Sequence, residues 1–297
     1  MQKAEAMVGE QTTEPELAQV LVPVANPATA RGLIRLASAL STRQSPSQLI
    51  ALKIVTASRG VPLEEARRYV LSMREHYEDV LAAAANSARE QGVDLRQEIQ
   101  VAHGVAPGIL SFASGLPRLE LILLGWKGTV SPRRVRRSIN QEIVRRARAN
   151  VAVFREREPG PIRRILLPMG WGPHARFGLR LAERLVHTLE AELTVLRVLP
   201  MIGEIDWEGE RAALSRVIGE EAPSLRHGTE LRLAREPAVV PAIMAEAGRA
   251  SYNLLIIGAS NEWWLRNWLF GAIPDLIAEQ APCSVLLVRS YEPGIVP

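Results

Sequence analysis

Two loops in this chain carry the residue types that hold phosphate. The first follows the apolar run Leu119–Leu124 and contains Gly125, Trp126, Gly128, Arg133, Arg134, Arg136, Arg137 and Ser138. The second follows Leu254–Ile257 and contains Gly258, Asn261 and Gly271. Glycine lets backbone N–H groups approach an anion closely, and a helix that starts after the loop adds the positive end of its dipole. A serine hydroxyl adds one donor, and guanidinium groups add charge-assisted bonds to phosphate oxygens.

Competing readings attach to the same residues. Arg133, Arg134, Arg136, Arg137, Arg145, Arg146 and Arg148 fall within sixteen residues. Such a cluster meets phosphates, an acidic protein surface or anionic lipid head groups, or is a solvated face. Trp263, Trp264 and Trp268, with Trp171, are a concentration of indoles in a chain with 5% aromatic residues. They stack a base, form a partner surface, or pack a loop over the sheet and fill the pocket.

Other chemistry is thinly represented. The five histidines have no metal-ligand spacing and Cys283 is the single cysteine, so no zinc set can be assembled. Neither a Gly-x-Ser-x-Gly elbow nor a Walker loop is present, and no residue is assigned a catalytic role. His103 follows a strand and reads as a solvated loop residue, whereas His174 reads as a capping or packing residue at a helix start. The basic loop lacks interleaved aromatics, so nucleic acid is not expected as a partner.

The elements that must position these loops follow from the hydropathy pattern. In the first half, strands are expected at Gln19–Val24, Leu49–Val55, Leu95–Val101, Leu119–Leu124 and Val151–Phe154. Helices are expected after the Asn26-Pro27 turn, over one long stretch Pro62–Gln91, at Val105–Gly115 and at Ser138–Arg148. The second half repeats the order, with strands at Ile165–Met169, Leu193–Leu199, Glu230–Ala234, Asn253–Ile257 and Ser284–Val288. Equivalent positions are 145 residues apart at Val20 and Ile165 but 133 apart at Gly125 and Gly258. A shortened middle helix, Trp207–Glu220, is the expected source of the difference. Strands that are continuous apolar runs alternating with helices imply parallel sheets covered on both faces, with ligands beyond the carboxyl ends of the strands.

Length and composition agree with a doubled unit. The chain has 297 residues, 47% hydrophobic and 23% charged, with a net charge of +4. Two domains are expected, at 19–155 and 162–290, joined by a linker at 156–161 and preceded by a flexible N-terminus at 1–18. The apolar runs fall short of the ~20 residues of a membrane helix. The polar N-terminal residues lack the apolar core of a signal peptide, and the lone cysteine fits the reducing cytoplasm.

The motifs also resemble a known family. Leu255–Gly258, Gly271-Ala272 and Ala281–Arg289 in the second half, with Leu121–Gly128 and Asn150–Arg155 in the first, resemble the universal stress protein domain in tandem. The wording of Val20–Pro27, Val101–Gly104, Leu121–Trp126 and Gly172–Ala175 is also similar to the cytosolic tails of bacterial amino-acid permeases and ion transporters. The resemblance implies an α/β fold of two tandem Rossmann-like (adenine nucleotide alpha hydrolase-like) domains. Each would have a five-stranded parallel sheet with helices on both faces.

For function, the resemblance implies a cytoplasmic regulatory or nucleotide-sensing module with degenerate sites and no robust catalysis. The family's nucleotide-contacting Asp is replaced by Ala25 and Gly170. Asn26, Gly125, Trp126, Gly128, Arg133, Arg137 and Ser138 are the residues left to a site in domain 1, with ATP or another adenine nucleotide as ligand. Gly172, Gly258, Asn261 and Gly271 are left in domain 2, where Asn261 replaces a glycine and Ala272 the hydroxyl. The partners implied are an internal pseudo-dimer joined through Val151–Phe154 and Val285–Val288, a second copy of the chain, and a membrane transporter. A soluble partner of such a transporter and a weak ATPase are the alternative functions.

Overall fold

The computed structural model describes residues 17–41, 46–73, 78–126, 139–225, 228–259 and 272–293. In the first half the order is β1 (Ala18–Pro23), α1 (Pro27–Leu40), β2 (Ser47–Thr56), α2 (Leu63–Ser72), α3 (Glu78–Glu90), β3 (Leu95–Ala102), α4 (Val105–Ser114), β4 (Leu119–Gly125), α5 (Ile139–Arg146) and β5 (Asn150–Arg155). The second half runs β6 (Arg164–Pro168), α6 (Pro173–Leu189), β7 (Glu192–Leu199), α7 (Trp207–Glu221), β8 (Glu230–Arg235), α8 (Val239–Arg249), β9 (Leu254–Gly258), α9 (Ala272–Gln280) and β10 (Ser284–Arg289).

The strands form one ten-stranded sheet in the order β3-β2-β1-β4-β5-β10-β9-β6-β7-β8. Within each half all pairs are parallel. At the centre β10 runs antiparallel to β5, with Leu286 opposite Phe154 and Val288 opposite Ala152. The seam therefore lies where the family resemblance places it. Each half is a Rossmann-like α/β unit, and the two are related by an approximate twofold axis through that seam.

Helices cover both faces, as the uninterrupted apolar strands require. Leu21, Ile122, Ile165 and Leu255 are all fully buried, each contributing about 1.5–3 kcal/mol. On one face a single core joins α1, α3, α6 and α7 across both halves, with Leu33 and Ile34 in the same cluster as Phe177 and Leu181. The other face is covered by α4, α5, α8 and α9. The outer strands carry charge pairs, Arg96 with Glu98 on β3 and Arg232 with Glu230 on β8, both at 2.7 Å. Charged side chains of this kind discourage edge-to-edge pairing with other sheets.

Local sequence explains the helix ends that face the clefts. Asn26 is the N-cap of α1, its side chain accepting from Ala28 N at 2.9 Å, and Pro27 follows at the first helical position. Gly172 precedes Pro173 at the start of α6 and supplies no capping side chain. Gly178, on the buried side of α6, lies within 3.5 Å of Ile256, Leu167 and Val288 measured from an added Cβ, which lets the helix sit close on the sheet.

One expectation is corrected. The long helix at 62–91 is two helices, since α2 closes at Met73, whose N–H bonds Tyr69 O and Val70 O, and α3 begins at Glu78. In the second half, residues 200–206 contain no helix, and α7 follows directly. The change in spacing between the halves thus comes from an additional helix, α2, rather than from a shortened one. The alternating pattern at 62–91 is consistent with either arrangement because both helices present apolar faces at the same period.

Candidate functional site

In each half the strand order reverses between β1 and β4, or β6 and β9, and the carboxyl edge there is the usual ligand position in such sheets. In the second half a cleft of about 290 Å³ lies at that edge. Gly170, Trp171 and Gly172 from the β6–α6 turn line it together with Arg197, Val239 and Gly258. Gly172 and Gly258, two of the residues singled out from sequence, are thereby brought to one site.

Gly258 is required there by packing. A Cβ on it would lie 2.8 Å from Ala175 N and from His174 C, so the strand end rests directly on the first turn of α6. Trp171 is partly exposed at the mouth, and the Arg197 guanidinium stacks over its ring at 4.6 Å. Arg197 Nε also reaches Glu210 at 3.3 Å, and its Nη1 donates to Met169 O at 3.4 Å. Four features therefore fix one cation against the cleft wall: an indole face, a carboxylate, a carbonyl and the strand itself. Neither Arg197 nor its counterpart was selected from the sequence. The signal was present, since β7 and β2 pair with β6 and β1 in the same register, placing Arg197 and Lys53 at equivalent positions of otherwise apolar strands.

His174 sits in the first turn of α6, and its Nδ1 accepts from Ser290 N at 3.1 Å. Burial, and then the positive charge of Arg289, pulls its pKa down to about 4. The imidazole is neutral near pH 7 and serves to tie the chain after β10 to α6, in agreement with the packing role read from its position. Cys283 is buried and its thiol is pushed up to about 11, chiefly by burial, which removes it as a nucleophile.

The equivalent strand end of the first half is built differently. Gly125 ends β4, and among the described residues a Cβ there would meet only Leu33 Cδ1, at 3.5 Å, an ordinary contact. Its carbonyl accepts from the buried Asn140 Nδ2 at 2.9 Å. That bond ties the first turn of α5 to the end of β4, and Asn140 is a further residue that sequence reasoning missed. Trp126 N donates to Phe154 O at 2.9 Å, and its half-buried side chain packs on the core beneath α4 and α5. Asn26 lies on the exposed turn after β1, its side chain engaged by α1. His103 is exposed, with Nδ1 3.4 Å from Ala57 O. Gly128, Arg133, Arg137, Ser138, Asn261 and Gly271 lie outside the described residues, as do Trp263, Trp264 and Trp268. Among the described residues no group of three or more His, Cys, Asp or Glu could hold a metal ion, and no helix is long and apolar enough to cross a membrane.

Comparison with known proteins identifies the domain of the second half. Residues 161–289 match the model of the universal stress protein family. The chain carries a universal stress protein domain. Among solved structures, a universal stress protein from Archaeoglobus fulgidus DSM 4304 superimposes over 92% of this chain and 97% of its own, with a TM-score of 0.63 and 15% identity. The cytoplasmic domain of a prokaryotic cation chloride cotransporter superimposes over 95% of this chain and 98% of its own, with a TM-score of 0.59 and 15% identity. Both likenesses are of fold, and both extend over the two halves. No curated protein matches the chain. The universal stress protein domain thus spans β6 to β10, and the first half repeats its topology strand for strand.

Proposed function

We propose that the protein is a cytoplasmic regulatory module that senses an adenine nucleotide such as ATP in its first half, without acting as a robust enzyme. The observation that supports this reading is the contrast between the two equivalent glycines. Among the described residues Gly258 is occupied by packing against α6, whereas Gly125 has one ordinary contact, with Leu33. A glycine free of packing constraint leaves its backbone open to close approach by a ligand. The residues assigned to this site are Asn26, Gly125, Trp126, Gly128, Arg133, Arg137 and Ser138. In the second half the Trp171–Arg197 stack and the small cleft favour a structural or weakly binding role for Gly172, Gly258, Asn261 and Gly271. The test is calorimetry with ATP, ADP and cyclic nucleotides, preceded by mass spectrometry of any ligand released from the purified protein. Binding that is lost in Arg133→Ala/Arg137→Ala supports the reading, and no heat at millimolar nucleotide eliminates it.

A second reading is a soluble regulatory partner of a membrane transporter. It is favoured by the likeness of fold to a cotransporter's cytoplasmic domain, which covers nearly the whole chain. Co-sedimentation with solubilised transporter-containing membranes, abolished by Arg133→Ala/Arg134→Ala/Arg136→Ala/Arg137→Ala, is the expected result. Absence of enrichment over a control protein rejects it.

A further inference from the structure

Where β5 ends and β6 and β10 begin, the linker leaves a cavity of about 570 Å³, within the ~300–1,000 Å³ range of small-molecule pockets. None of its lining residues belongs to the second-half cleft. Two anchors hold the linker over it. Glu156 pairs with Arg35 and rests on α1 at Gly32, where an added Cβ would collide with the carboxylate. Arg157 is held on the other side, its N–H bonding Ser284 Oγ at 3.1 Å and its Nη1 bonding Ala281 O at 2.9 Å.

The lining divides into an apolar floor and a cationic rim. Leu36, Phe154, Ile162 and Leu189 supply the floor from both halves and the linker. At the rim, Arg35 and Glu156 neutralise each other, and Arg157 and Arg163 outnumber the remaining carboxylate, Glu158. The Arg163 backbone N–H bonds Asn253 Oδ1 at 2.9 Å, while its exposed side chain extends at the rim. An apolar floor beside a surplus of guanidinium charge suits a molecule with an apolar body and one anionic end.

We propose that this cavity binds a small organic acid with an unbranched apolar tail. Its carboxylate is held by Arg157 and Arg163, and its tail lies on Leu36, Phe154 and Leu189. Such a ligand touches both halves and the linker at once, so its occupancy stabilises the join between them.

Calorimetry and thermal melts of the full chain with octanoate, octan-1-ol and octylamine test the proposal. Octanoate is expected to bind and raise the melting temperature, and the alcohol and amine are expected to do neither. Arg163→Glu is expected to weaken octanoate at least about tenfold while leaving the melting temperature of the free protein unchanged, since Arg163 is exposed. The proposal is overturned by no heat with octanoate, by equal binding of octan-1-ol, by unaltered affinity in Arg163→Glu, or by displacement of octanoate with ATP. Because none of the cavity's lining residues is among those assigned to the nucleotide sites, failure here leaves the nucleotide reading intact, and failure of nucleotide binding leaves this one intact.

Discussion

Arg155 and Arg289 do the same job from opposite sides of the seam. Each is the last residue of its terminal strand, and each donates to the carboxyl end of the other half's last helix. Arg289 Nη2 reaches Ala147 O and Ala149 O, both at 2.9 Å, beyond α5. Arg155 Nη1 donates to Ala278 O and, at 3.1 Å, to Glu279 O in α9. A cation at a helix carboxyl terminus satisfies carbonyls that have no intrahelical partner and opposes the negative end of the dipole. Two residues further on, the reciprocity recurs: Tyr291 N bonds Asn150 Oδ1 at 2.8 Å, and Arg157 N bonds Ser284 Oγ at 3.1 Å.

Removing either arginine strands buried carbonyls, and the cost follows burial. Arg289 is 4% exposed and Arg155 only half-buried. Arg289→Ala is expected to cost about 2–4 kcal/mol and Arg155→Ala about 1–2 kcal/mol. Urea unfolding of the two variants measures both, and equal or negligible losses would show that the strands alone hold the seam.

His174 makes stability pH-dependent. Its folded pKa of about 4 lies below its ordinary value of 6.5, so between those values the unfolded chain takes up a proton that the folded one refuses. Stability contributed by the neutral imidazole is full above pH 6.5, falls as the pH drops toward 4, and is lost below it. The loss amounts to roughly 3 kcal/mol. Unfolding midpoints from pH 7 to 4 should slope in the native protein and flatten over that window in His174→Gln; parallel slopes would assign the effect elsewhere.

The two strand-ending glycines should respond in opposite ways to an added methyl. Gly258→Ala forces a Cβ onto the backbone of α6 and is expected to cost about 1–3 kcal/mol. Gly125→Ala meets, among the described residues, only Leu33 Cδ1 and is expected to stay within about 0.5 kcal/mol. Thermal melts of the pair decide it, and equal destabilisation would remove the distinction drawn between the clefts.

The Arg197–Trp171 stack is open to a double-mutant cycle. Trp171→Ala, Arg197→Met and their combination should reveal a coupling of about 0.5–1 kcal/mol, with no coupling if Glu210 alone positions the guanidinium.

Much of the fold was legible in the sequence because its strands are uninterrupted apolar runs. Val151–Phe154 and Val285–Val288 read as strands for that reason and occupy the seam. What stayed hidden depends on long-range partners. Arg289 looks like a strand-ending surface cation until Ala147 and Ala149 are brought to it from 142 and 140 residues away. Arg197 gains meaning only when β7 registers against β6 and Trp171 folds back over it. Glu156 reads as part of a polar linker until Arg35 and Gly32 of α1 are brought against it.

The antiparallel pairing of β5 with β10 joins two units that are parts of one chain. Their association is an intramolecular event with an effective concentration fixed by the linker, and dilution does not reverse it. In a dimer of identical subunits, one codon change alters both clefts together. Here the halves differ singly, Arg197 stacking on Trp171 in one where the other carries Lys53, so a single polypeptide holds two unequal strand edges within one continuous sheet.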